Sequence, residues 1–332
     1  MRVLTLRRLI AGLAMVVGLA SAMSDLCAAE ATIGKTYLLA IGICPPYRHD
    51  IPVVVCKNAV DAVVEELGEA LNIAKNDTVA LVDEKATGPG FLAAVAELGK
   101  RMTADDRLVL YLLAHGDNFG LWADYYGAPG PIAQINQRLH DREEYVLVFW
   151  TKEEPTVPAL SLAQKEWLTV DEIVHAIDAL PAKVALILES CSSGKMFTGF
   201  HLNAQHSERI DYVLVSAGAE QISNLNDAKT IPIFTASLTN ALDLPMVDTF
   251  GEAVSHARMI TTLRAAARCA SMVMPQKVFS LIFPGKTVPN EITHDGMVSP
   301  PLWMCAQVPS VADFSGDMSG KTIYQNGSTE YR

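Results

Sequence analysis

Apolar residues occur along the chain in short, unbroken runs, and most runs stop abruptly at a polar or small residue. Thr36 to Ile43, Thr78 to Val82, Leu108 to Ala114, Lys183 to Leu188 and Tyr212 to Ala217 have this form. Continuous rather than alternating apolar character is what a strand buried on both faces requires. Between the runs the spacing changes to every third or fourth residue. Residues 56–71 place Val60, Val63, Val64, Leu67 and Leu71 on one helical face, and residues 90–102 do the same with Leu92, Val95, Ala96 and Gly99. Thr169-Val-Asp-Glu172 and Thr249-Phe-Gly-Glu252 are capping boxes, in which a threonine hydroxyl and a glutamate carboxylate satisfy each other's backbone amides. The first opens a helix that Pro181 ends; the second opens one running to about Arg268. Phe234 to Leu242 reads as a further helix and Val278 to Phe283 as a last strand. This alternation predicts an α/β domain with a mainly parallel sheet and right-handed crossovers.

The pattern weakens in three places. From Asp117 to Trp167, glycines, prolines and aromatics surround one strand-like run, Tyr145 to Trp150. Long ordered connections of this kind serve as lids or binding loops. After Gly285 the chain turns polar and loses its period, so residues 286–332 read as an irregular tail. At the other end, Arg2, Arg7 and Arg8 precede an apolar stretch from Leu9 to Ala20, with small-residue cleavage contexts at Ala20-Ser-Ala22 and Cys27-Ala-Ala29. That is the form of a secretory signal peptide, 1–29, cleaved after Ala29. The apolar stretch is short for a membrane span. The expectation is a periplasmic or secreted protein, with no membrane attachment after signal cleavage and one folded domain over residues 30–285.

The formal charge of −11 over 332 residues argues against an extended nucleic-acid footprint, and a composition half hydrophobic and 19% charged suits a globular core. The six cysteines are Cys27, Cys44, Cys56, Cys191, Cys269 and Cys305. Cleavage removes Cys27. Setting Cys191 aside leaves four, enough for two disulfides in an oxidising compartment, with the connectivity open. There is no Cys-x-x-Cys pair and no histidine-rich cluster, so neither a metal site nor a cofactor is expected. Gly-x-Ser-x-Gly is also absent, which speaks against a serine nucleophile elbow.

The chemistry concentrates in two run ends. Val184-Ala-Leu-Ile-Leu-Glu-Ser-Cys191-Ser-Ser-Gly194 passes from buried strand to a serine-rich turn around a cysteine. Leu108-Val-Leu-Tyr-Leu-Leu-Ala-His115-Gly116 stops at a histidine followed by glycine. If the two strands are parallel neighbours, His115 and Cys191 leave the same sheet edge side by side. A cysteine is nucleophilic as thiolate, and a nearby imidazole takes its proton. Attack on a peptide carbonyl builds an oxyanion, for which the amides of Gly116 and Cys191 are the candidate donors; glycine at 116 leaves its amide open to approach. His115 then protonates the leaving amine. The other histidines lack a strand end and a small-residue turn.

These elements resemble those of caspase-like cysteine peptidases. Leu108–Gly116 is similar to their strand-His-Gly element, and Leu186–Gly194 to their strand-acidic-x-Cys-x-Ser-Gly element. Cys56-Lys-Asn-Ala-Val-Asp61 after the first strand, and Phe234-Thr235 in a later helix, also resemble bacterial caspase-like and metacaspase domains. The likeness runs in order from about Lys35 to Gly285. It implies a caspase-like three-layer α/β/α sandwich with a mainly parallel sheet. It also implies a Cys–His dyad of Cys191 and His115, a protein or peptide substrate, and a specificity pocket near Arg48, Asp50, Glu189 and Asp227. Metacaspase-like members carry Asp where this chain has Glu189; Glu there, with Tyr47-Arg48-His49, resembles legumain. Legumains carry an acidic residue before the histidine, where this chain has Ala114. The charge of Glu189 favours Arg or Lys before the scissile bond, whereas Arg48 opposes that and favours Asn or Asp. The alternatives are a legumain-like asparaginyl peptidase or transpeptidase, and a catalytically silent caspase-like binding domain.

Overall fold

A computed structural model describes residues 34–47, 51–118, 145–153, 158–198, 207–269, 274–275, 297–298, 305 and 307–323. The expected signal peptide, Arg48, Asp50 and the expected strand Val278 to Phe283 lie outside the described residues. Lys35–Arg332 form one unit, distinct from Met1–Gly34.

Strands β1 (Thr36–Gly42), β2 (Thr78–Val82), β3 (Arg107–Leu113), β7 (Lys183–Glu189) and β8 (Ile210–Val215) pair in parallel, in the order β8-β7-β3-β1-β2. β11 (Ser310–Asp313) adds to β8 as an antiparallel edge strand. Part of the expected tail is therefore sheet. Its four residues are only partly buried, and so short a run shows no apolar period to read.

Between the strands lie α1 (residues 54–70, with a π-helical turn Val63–Leu67), α2 (Gly88–Gly99), α4 (Val170–Asp178), α6 (Ile233–Leu242) and α7 (Phe250–Cys269). A three-stranded antiparallel sheet stands apart: β4 (His115–Asn118), β5 (Tyr145–Val148) and β6 (Trp167–Thr169), with the short helix α3 (Pro158–Ala163) before β6. A further short helix, α5 (Lys195–Thr198), follows β7, and β9 (Met274–Pro275) pairs with β10 (Met297–Val298).

Alternate strand residues separate two cores. Leu39, Ile41, Leu110, Leu112, Leu186 and Leu188 pack with Phe91, Val95 and Leu98 of α2 and with Ile173 and Ile177 of α4. Leu38, Ala40, Val109, Tyr111, Ala185 and Ile187 pack on the other face with Val60, Val63 and Leu67 of α1, Phe234 and Leu238 of α6, and Phe250 and Val254 of α7. The sheet is thus covered on both faces, which is why its strands are unbroken apolar runs. The result is a three-layer α/β/α sandwich with a mainly parallel sheet. On α2 the buried stripe is Phe91, Val95 and Leu98, while Ala96 is exposed, so the face lies one position from the expected one. Both capping boxes form, Thr169 with Glu172 and Thr249 with Glu252.

Disulfides join Cys44 to Cys56 and Cys269 to Cys305, at Cα separations of 5.8 and 5.4 Å. The first closes the loop after β1 onto α1. The second ties the end of α7 to the segment leading into β11. Cys191 is not disulfide-bonded.

Candidate active site

β3 and β7 are parallel neighbours, with Leu113 in register with Glu189, and the Ala114 amide donates to the Glu189 carbonyl at 3.2 Å. The next residues on each strand are His115 and, one turn into the loop, Cys191. The two side chains therefore start from adjacent positions at the carboxyl edge of the sheet, where loops of parallel α/β sheets form their sites. Contact between the two stretches is direct. A Cβ placed on Gly116 would overlap the Tyr145 hydroxyl and lie 2.6 Å from Ser190 Oγ. His115 continues into β4, opposite Val148 of β5. Both His115 and Cys191 are half-buried.

The turn that carries Cys191 is held residue by residue. The Ser190 amide donates to Ser216 Oγ at 3.2 Å. Ser190 Oγ lies within hydrogen-bond reach of the Tyr145 hydroxyl, and that hydroxyl donates to the Cys191 carbonyl at 2.8 Å. The Ser192 amide donates to the Gln221 carbonyl at 2.8 Å, and Ser192 adopts φ +54°. Fully buried Ser193 both donates to the Ala217 carbonyl (3.1 Å) and accepts from the Ala217 amide (3.0 Å). A Cβ on Gly194 would meet the Ala219 amide at 2.5 Å. Each small residue around Cys191 thus has a packing or hydrogen-bonding reason to be small. The loop that receives these bonds is itself anchored. Gln221 Oε1 accepts from the amides of Gly218 and Val308, both at 2.8 Å, and buried Gln307 accepts from the Asn224 amide at 2.9 Å. Asn224 in turn donates to the carbonyl of disulfide-bonded Cys305 at 3.1 Å.

Glu189 is placed differently from the specificity reading. Its carboxylate is 0% exposed and accepts from Ser223 Oγ, from the Thr235 amide (3.0 Å) and from Thr235 Oγ1 (2.9 Å). Thr235 Oγ1 is also bonded to the buried Tyr111 hydroxyl at 2.6 Å. Burial raises the Glu189 pKa above the usual carboxyl range, against the lowering effect of these donors. The chain direction explains the placement. Leu188 points into the α2/α4 core and Ile187 into the α1/α6/α7 core, so Glu189 follows Ile187 toward α6. Asp227 is fully exposed and pairs with Arg268 Nη1 of α7 at 3.3 Å.

Tyr145 and Ser193 were not singled out by the sequence. Tyr145 heads a run whose position relative to the cysteine depends on β4–β5 pairing, which no local pattern encodes. Among the described residues no cluster of histidine, cysteine and carboxylates could hold a metal ion.

No protein-family model matches the chain. No curated protein matches it in sequence. Among solved structures it is similar to a structural-genomics protein from Geobacter sulfurreducens, with TM-score 0.43 and 14% identity over 66% of this chain and 88% of that one. It is also similar to caspase-1 from Spodoptera frugiperda, with TM-score 0.41 and 10% identity over 90% of this chain and 92% of that one. Likenesses this distant decide nothing about the chemistry of the chain.

Proposed function

We propose that the protein is an exported cysteine endopeptidase of caspase-like type, with Cys191 as nucleophile and His115 as its base. The observation that carries the proposal is that the two residues lie two positions beyond the ends of the neighbouring parallel strands β3 and β7, with Cys191 kept out of both disulfides. His115 takes the thiol proton, and the Cys191 sulfur attacks the scissile carbonyl carbon. The tetrahedral oxyanion collapses with loss of the amine, which leaves carrying the proton from His115. Water, deprotonated by His115, then adds to the thioester and releases the acid and the Cys191 thiol. Two disulfides in the folded unit and the basic-then-apolar N-terminal stretch support export. Selection of Arg or Lys by the charge of Glu189 is not part of the proposal, because that carboxylate is engaged by Ser223 and Thr235.

The test uses the purified chain with its Cys191→Ala and His115→Ala variants, an electrophilic active-site probe, and a peptide library with Arg, Lys, Asn or Asp before the scissile bond. Cys191-dependent labelling with turnover is expected, and both substitutions should lower turnover by at least about 1,000-fold. The cleaved residue type identifies the substrate class, Asn marking a legumain-like activity. Absence of labelling and turnover, with calcium present and after limited proteolysis, overturns the proposal in favour of a binding domain.

A further inference from the structure

The peptide unit between Cys191 and Ser192 is bonded at both of its ends, in opposite directions. Its carbonyl accepts from the Tyr145 hydroxyl at 2.8 Å, and its N–H donates to the Gln221 carbonyl at 2.8 Å. Ser192 follows in the left-handed region, φ +54°, which a non-glycine residue occupies only when its surroundings hold it there. A peptide preceding such a residue has an alternative: rotation of the whole unit, exchanging the sides of its C=O and N–H. Here that rotation breaks both bonds. Such a rotation leaves the Cα–Cβ bond of Cys191 close to its place; what the two bonds hold is the backbone from which that bond leaves.

Three contacts share two protons. Tyr145 and Ser190 hydroxyls face each other, and each also lies within reach of the Cys191 carbonyl, Ser190 Oγ at 3.2 Å. The arrangement that uses both protons along the shorter paths has Ser190 donating to the Tyr145 oxygen and Tyr145 donating to the carbonyl. Tyr145 is 4% exposed, so the phenol is largely shielded from water. The hydroxyl has room because residue 116 lacks a side chain: a Cβ there would occupy the place of the Tyr145 oxygen, with the ring carbon behind it at 2.7 Å. The glycine after the histidine is thus accounted for from inside the protein. The same contact links the strand bearing His115 to the turn bearing Cys191 through one phenol.

We propose that Tyr145 is a positioning residue that locks the Cys191–Ser192 peptide and so fixes the nucleophile relative to His115. The proposal rests on the function proposed above for its catalytic consequence, though not for the lock itself. Two measurements on the full chain and its Tyr145→Phe variant separate the two. Amide hydrogen exchange reads the lock without any catalysis. Exchange in the peptide covering residues 190–194 should rise about tenfold in Tyr145→Phe, as loss of one buried hydrogen bond predicts, with β1 and α7 unchanged. Turnover reads the consequence: kcat should fall about tenfold with KM unchanged, because substrate binding does not involve the phenol. The Ser190→Ala variant, which keeps the Tyr145-to-carbonyl bond, should show less than a third of either effect. Unchanged exchange at 190–194 in Tyr145→Phe overturns the lock. Raised exchange with unchanged kcat in a protein whose Cys191→Ala variant is dead overturns the positioning role. If wild type and Cys191→Ala are equally inactive, the peptidase reading fails, while exchange still decides whether Tyr145 holds the turn.

Discussion

The two ends of the main sheet solve the same problem, buried polar groups, by different means. At the amino end the solution is charge. Arg107 at the start of β3 reaches across β7 to Asp211 of β8 in a two-pronged pair, 2.7 and 2.8 Å. Asp106 accepts from the Lys35 and Thr103 amides, each at 2.7 Å. These contacts staple strands and connect nothing that could react. At the carboxyl end the work is done by hydroxyls and amides. Tyr145, Ser190, Ser193, Ser216 and Gln221 hold one turn, and their donors and acceptors are mostly backbone. Among the described residues, the polar groups at the first end thus tie strands together, whereas those at the second hold a turn that carries a cysteine. A substitution at the amino end is expected to cost stability and spare chemistry; at the carboxyl end the balance reverses.

The largest effect should come from breaking the staple. Asp211→Ala leaves the Arg107 guanidinium, 14% exposed, without its principal partner. Loss of one member of a buried pair costs about 3 kcal/mol, more than the pair's own net value, because the surviving charge stays desolvated. Chemical denaturation should show that loss. Probe labelling of Cys191, measured well below the unfolding midpoint, should match wild type. A labelling defect as large as the stability defect would erase the contrast between the two ends.

Gly116→Ala tests the other end. A methyl group there cannot coexist with the Tyr145 hydroxyl, and Ser190 Oγ at 2.6 Å closes the alternative. Either β4 shifts or the phenol leaves the Cys191 carbonyl. A displacement near 1 Å at a reacting group costs about 100-fold in rate. Overpacking costs about 1 kcal/mol or somewhat more. Turnover falling by two decades with a modest change in unfolding midpoint is the expected result. Equal losses in both would assign Gly116 to packing alone.

How much of this was legible in the sequence follows from the range of each interaction. The five parallel strands and the main helices were readable because burial on both faces writes itself as unbroken apolar runs, and capping boxes are local. Leu108–Gly116 and Val184–Gly194 revealed the candidate pair because each ends a run in small residues. β11 was not readable: its pairing with β8 spans about a hundred residues of sequence and its own residues are half-exposed. The place of the Glu189 carboxylate is hidden for a similar reason. Its neighbours Ser190 and Cys191 suggested a pocket, but its carboxylate faces Thr235 on α6, and strand alternation past Ile187 would have pointed there. Tyr145 was hidden by its distance in sequence from Gly116, Ser190 and Cys191.

Glu189 also gives the smallest effect and the sharpest discrimination at the carboxyl end, since its carboxyl group is fully buried there. Burial raises its pKa in the folded chain, and the donors Ser223, Ser216 and Thr235 only partly offset this. The sign follows. Between the ordinary carboxyl pKa, about 4.3, and the raised folded value, the folded chain holds a proton that the unfolded chain has lost. Stability is therefore full below the unfolded pKa and declines as pH rises through that window, by at most about 1.4 kcal/mol per pH unit. Glu189→Gln keeps an acceptor for Thr235 and a partner for Ser223 while removing the titration. The variant should match wild type near pH 4 and be the more stable of the two at pH 8, read as unfolding midpoints across that range. Its preference for the residue before the scissile bond should not change. A variant that loses Arg or Lys selectivity would show that the carboxylate reaches substrate; one with a flat stability difference would show that the buried group stays ionised throughout.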